Sequence, residues 1–67
     1  MSLRPYQQRV VDERAELDSR RSRLEQYIST PGFNERDNAE QKRMVRQLLA
    51  MGVYSDMLRE RIEAFGT

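Results

Sequence analysis

The stretch from Met44 to Phe65 carries more apolar surface than one partner helix can cover. Its apolar residues recur in alternating steps of four and three. On an α-helix this places Met44, Leu48, Met51, Leu58, Ile62 and Phe65 on one seam, with Ser55 the only small polar member. Val45, Leu49, Val53, Tyr54 and Met57 form a second stripe beside it. A helix with two apolar stripes needs two partners. The rest of the chain offers one other long helix. The remaining burial therefore has to come from another copy of the chain or from another molecule.

That other helix is expected from Pro5 to about Ser29. Pro5 suits a first helical turn, where its missing N–H costs nothing. Leu3, Val10, Leu17 and Leu24 are spaced by seven, and no Gly or Pro interrupts Tyr6 to Ser29. Tyr6 begins the adjoining row and Tyr27 and Ile28 end it, while Glu13–Arg14 and Arg20–Arg21 fill its middle. The first helix is thus a heptad helix whose seam turns charged at its centre, about 35–40 Å long at 1.5 Å per residue.

Between the helices, about residues 30–37, the chain breaks. Pro31 has no donor and pushes Thr30 out of helical geometry, and Gly32 permits a turn. Phe33 is an apolar plug in this connection. Asn34 and Asp37 are both candidate N-caps, and Asp37-Asn38-Ala39-Glu40 has the spacing of a capping box. The second helix then runs from about 38 to 65, with Gly52 inside it marking close approach of another helix. A connection this short lays the helices antiparallel. The expected fold is all-α: a two-helix antiparallel hairpin, a single domain over 1–67, assembling into a homo-oligomeric helical bundle.

Composition removes several kinds of function. The 67 residues include no Cys and no His, so disulfides, thiolate chemistry, the common zinc sites and the usual general base are absent. No metal or cofactor is expected. Ser19, Ser22, Ser29 and Ser55 have no His to activate them, and the three Gly form no phosphate loop. Asp12 and Glu16 are paired acids on a helix surface without a cleft to shift them. An enzyme is not expected. No run approaches the roughly 20 apolar residues that span a bilayer, and the start of the chain has no leader-like apolar segment. The expectation is a soluble intracellular protein.

The net charge of +1 supplies no broad basic field, and acids alternate with Arg along the first helix, which disfavours a nucleic-acid duplex as partner. Eleven of the twelve cations are Arg and only Lys42 is Lys. Arg presents a flat fork of donors to carboxylate or phosphate. Arg9–Glu13, Glu16–Arg20, Arg21–Glu25 and Arg59–Glu63 are spaced for surface pairs. Arg4, Arg23, Arg43, Arg46 and Arg61 lack such obvious partners. Arg14, Arg20 and Arg21 would sit at interface edges and need anions. Those anions are either carboxylates of another copy, such as Glu13 or Asp18, or the phosphates of a ligand whose bases stack on Tyr6 and Phe33.

The run Pro5-Tyr6-Gln7-Gln8-Arg9-Val10, with Glu16-Leu17-Asp18 and Leu24 after it, is similar to a family of small phage proteins. So is the later half: Arg46-Gln47-Leu48, Met51, Tyr54-Ser55, Leu58, Glu60-Arg61-Ile62 and Phe65. The chain resembles the hairpin domain shared by phage anti-CBASS and anti-Thoeris sponges, over nearly its whole length. The resemblance implies a non-enzymatic protein, encoded by a phage and acting in the host bacterial cytoplasm. It would sequester cyclic dinucleotide, and also trinucleotide, immune signals in pockets between subunits, in homo-oligomers that are hexamers in the better-known form. It implies that Tyr6 stacks on a base, that Arg20 contacts phosphate where relatives place Lys, that Ser22 offers a nearby hydroxyl, and that Arg61 serves the trinucleotide pocket. The alternative that the residues leave open is a protein-interaction hairpin whose arginines make ordinary salt bridges.

Overall fold

The computed structural model describes residues 2–66. Among these residues there are helices and their connections, and no strand. Helix α1 spans Pro5–Ile28, a single turn α2 spans Pro31–Asn34, α3 spans Asn38–Glu63, and a 3-10 turn follows at Ala64–Gly66. The region expected to be plain linker therefore contains a helical turn, started by Pro31 at its first position.

Each boundary has a local cause. Ahead of α1, the Arg4 N–H donates to the Gln7 side-chain carbonyl at 2.9 Å, and Pro5 occupies the first position. At its end, Ser29 and Thr30 N–H groups bond the carbonyls of Gln26 and Tyr27, and the Thr30 hydroxyl donates to the Tyr27 carbonyl at 2.6 Å. No glycine here has a positive φ, so Gly32 is not needed for a left-handed turn. Its Cα instead lies near the Tyr27 hydroxyl, 3.6 Å from where a Cβ would stand. Asp37, not Asn34, caps α3: its carboxylate accepts from the Glu40 N–H at 2.7 Å. The expected reciprocal bond is missing, because the Glu40 side chain accepts from Arg43 at 2.8 Å.

The helices meet in antiparallel order. Tyr6 touches Phe65, Arg14 and Asp18 meet Ser55, and Arg21 meets Gly52. Val10, Leu17 and Leu58 form the buried centre, with Met51, Ile62 and Phe65 against it. Phe33 is buried separately, edge-on to Tyr27 at 6.5 Å. The molecule measures 49 × 15 × 14 Å, so its core is one seam between two rods. The second stripe stays outside: Val45, Leu49, Val53, Tyr54 and Met57 are all exposed, Leu49 at 66%.

Small residues on α3 decide how the charged centre of α1 is accommodated. Arg14 and Arg21 turn inward and are half-buried, while Glu13 and Arg20 remain exposed. Opposite the inward pair stand Ser55 and Gly52. A Cβ on Gly52 would lie 3.4 Å from Arg21 Nη2. Gly52 thus faces the end of an arginine side chain of α1.

Two outcomes follow for stability. Leu58 is fully buried. Leu58→Ala should cost about 2–5 kcal/mol, read as a lowered urea midpoint by circular dichroism. At Gly52 the neighbouring atoms are the mobile end of Arg21, so the helix-propensity gain should dominate. Gly52→Ala should stabilise by up to about 1 kcal/mol, raising the melting midpoint by about 4–8 °C at most. A lowered midpoint would mean that Arg21 cannot move aside.

Candidate functional site

The four residues expected to touch a ligand are distributed along the rod. Tyr6, half-exposed, stands at the first turn of α1 with its ring edge-on to Phe65 at 6.1 Å. Arg61 lies one turn before Phe65, exposed, in the last turn of α3. There its charge also complements the negative end of the helix dipole. These two share one end of the hairpin. Arg20 lies fourteen residues beyond Tyr6, about 21 Å along the axis. Its guanidinium approaches Glu16 at 3.9 Å, with both side chains largely in solvent. Ser22 is exposed and two residues from Arg20, so the two leave different sides of α1. A single chain does not bring the four together.

The charged centre has an internal solution. Arg14 Nε donates to Ser55 Oγ at 3.4 Å and lies 3.8 Å from Asp18 Oδ2. Ser55 Oγ donates to Asp18 Oδ1 at 2.6 Å. Asp18 of the same chain therefore supplies an anion for Arg14. Ser55 is 1% exposed and its polar atom is satisfied. Of the surface pairs expected from spacing, Glu16–Arg20 and Arg59–Glu63 form, the latter at 2.8 Å. Arg21–Glu25 does not form, since Arg21 faces Gly52.

Two arginines are tied more firmly to their charge. The Arg59 guanidinium is raised above its ordinary range by the hydrogen bond to Glu63, with Asp56 adding to it. Arg36 is raised by its hydrogen bond to the Tyr27 hydroxyl, at 2.9 Å. Neither change alters protonation near neutral pH, because arginine is already charged there.

Two open grooves lie at opposite ends. One is lined by Ser2, Leu3, Arg4, Gln7, Phe65 and Gly66, beside Tyr6. The other lies where the connection meets α3 and is lined by Phe33, Asn38, Gln41, Lys42, Val45 and Arg46. Sequence reasoning singled out Phe33 but missed Lys42 as a ligand candidate. The available signal was the absence of any acid three or four residues from Lys42 or Arg46. Among the described residues no group of three or more acids, Cys or His is placed to hold a metal. No helix is long and apolar enough to cross a membrane.

A model of the Sequestin family matches residues 4–64. The chain belongs to the Sequestin family. The match covers both long helices, the connection and every candidate ligand residue, and it agrees with the resemblance to phage proteins that sequester nucleotide signals. The name Sequestin denotes sequestration, which is a binding role and not a catalytic one. No curated protein and no solved structure matches the chain.

The Arg14–Ser55–Asp18 contact has a measurable weight. Ser55→Ala deletes one hydrogen bond to a carboxylate and one from a guanidinium inside the seam. The expected loss is about 1–2 kcal/mol, measured by urea unfolding. An unchanged midpoint would mean that water takes over both bonds without cost.

Proposed function

We propose that the chain is a phage-encoded sponge that assembles with copies of itself and holds nucleotide immune signals intact between subunits. The Sequestin match over residues 4–64 carries this reading. The geometry supports the assembly step. The grooves at the two ends of this thin rod are open, so a ligand held out of reach of its receptor needs walls from more than one copy. The exposed stripe Val45, Leu49, Val53, Tyr54 and Met57 is the apolar surface on which copies would meet.

On this proposal no bond is made or broken. Arg20 presents its guanidinium to phosphate, with Ser22 of another copy beside it. Tyr6 stacks on a base, and Arg61 at the same end takes a further phosphate. Burial between subunits slows release, and the effector of host defence in the bacterial cytoplasm receives no signal. Cyclic dinucleotides and trinucleotides are the ligand classes proposed first. Cyclic ADP-ribose-like signals share the same combination of rings and phosphates.

The test is titration calorimetry against all three classes, with the mass of the protein followed by light scattering. Saturable binding at fewer than one ligand per chain, on a stable oligomer, is expected. Arg20→Glu should weaken it at least about thirtyfold while the oligomer persists. Loss of the oligomer would make Arg20 structural. A stable oligomer that binds no ligand would favour the protein-interaction reading, for which the exposed stripe is the docking surface.

A further inference from the structure

Lys42 and Arg46 are one helical turn apart on α3 and line the same groove. Four arginines are matched with acids on their own helix: Arg14 with Asp18, Arg20 with Glu16, Arg43 with Glu40, and Arg59 with Asp56 and Glu63. Among the described residues Lys42 and Arg46 make no ion pair. The sequence explains why. Positions 38, 39, 45 and 46 around Lys42, and 42, 43, 49 and 50 around Arg46, hold no acid. Two like charges at this spacing repel, and a bound anion removes that repulsion.

The rest of the groove suits the remainder of a nucleotide. Phe33 and Val45 form an apolar floor. The Gln41 amide nitrogen is committed to the carbonyls of Asn34 and Arg36, at 3.3 and 2.8 Å, which fixes that side chain and leaves its oxygen without a protein donor. Asn38, the first residue of α3, adds a second carboxamide, at the helix end whose dipole favours anions. Val45 also belongs to the exposed stripe, so the groove opens directly onto the surface that a second copy would cover.

The geometry points to this groove as a phosphate subsite: Lys42 and Arg46 take the phosphate or pyrophosphate of the ligand, and the Phe33–Val45 floor takes its ring. The subsite lies at the opposite end of the hairpin from Tyr6 and Arg61. The identity of the ligand as a nucleotide rests on the sequestration proposal, whereas the anion site rests on the groove.

Amide chemical shifts of the 15N-labelled full chain separate the two. Inorganic pyrophosphate is titrated first, at constant ionic strength, and the nucleotide panel second. Both should move residues 33, 38, 41, 42, 45 and 46. Lys42→Gln with Arg46→Gln should weaken saturable binding by about tenfold or more, with helicity and mass unchanged. Pyrophosphate shifts at the groove without binding of any nucleotide would uphold the anion site and defeat sequestration. Nucleotide binding that leaves these amides still, and that is unaffected by the double substitution, would overturn the subsite and leave sequestration standing. Silence of the groove to both probes would overturn the subsite as well. The wild-type shifts decide the question even if the double variant fails to fold.

Discussion

Ser55 is fully buried and hydrogen-bonded to Asp18 in the middle of a seam otherwise made of Met, Leu, Ile and Phe. Ser55 and Gly52 stand where α3 lies against the part of α1 where the heptad turns charged. Arg14 cannot be drawn from water without an anion. Asp18 supplies the charge, and the hydroxyl joins both groups to the other helix. Sliding the helices by one heptad would set Arg14 against Leu48 or Ile62. The contact favours the register in which Arg14 meets a polar residue, as a polar seam position does in coiled coils. Leu58, Ile62 and Phe65 on one side of it and Met51 on the other then fall opposite apolar residues of α1.

With that register set, the two rods expose different chemistry. The outward row of α1 carries Tyr6, Glu13 and Arg20, a ring and alternating charges. The outward face of α3 carries the apolar stripe, ending at Val45 beside Lys42 and Arg46. Only one layer of side chains separates the helices, so neither face can retreat into a core. A contiguous exposed apolar stripe is a feature of surfaces that meet other molecules.

Much of the fold was legible from spacing. The four-and-three recurrence from Met44 to Phe65 identifies the inward seam, and the stripe beginning at Val45 is the one left exposed. Asp37 is legible as a cap because a short carboxylate before Asn-Ala-Glu can reach the third N–H. Other features were not legible because they depend on partners distant in sequence. Arg20 and Arg21 are neighbours, and Arg21 is the one that meets Gly52 of the other helix. The Glu40 side chain is a local exception, since its competitor Arg43 is as near as the cap. The groove at Lys42 exists only once Phe33 has folded back toward Val45. The roles of Ser22 and Arg61 come from resemblance alone, those of Tyr6 and Arg20 also from residue chemistry, and the separation of the four along the rod means that one chain cannot express them as a single pocket.

The charge chemistry also bears on how such a protein would hold a ligand. Its cations are Arg and one Lys, and it contains no His. Arg and Lys side chains keep their charge through the physiological range, so contacts made by them carry no proton switch between about pH 5 and 8. Arg59 and Arg36 are held still more firmly charged by Glu63 and Tyr27. A receptor that must release its signal benefits from a group that titrates near neutrality. A protein whose task is to keep the signal does not. For such a protein the useful variable is the dissociation rate, set by how completely phosphate and ring are covered. A thin hairpin can raise that coverage in only one way, which is to add another copy over the ligand. On the sequestration proposal, the exposed stripe and the cationic groove that opens onto it would be two parts of one requirement.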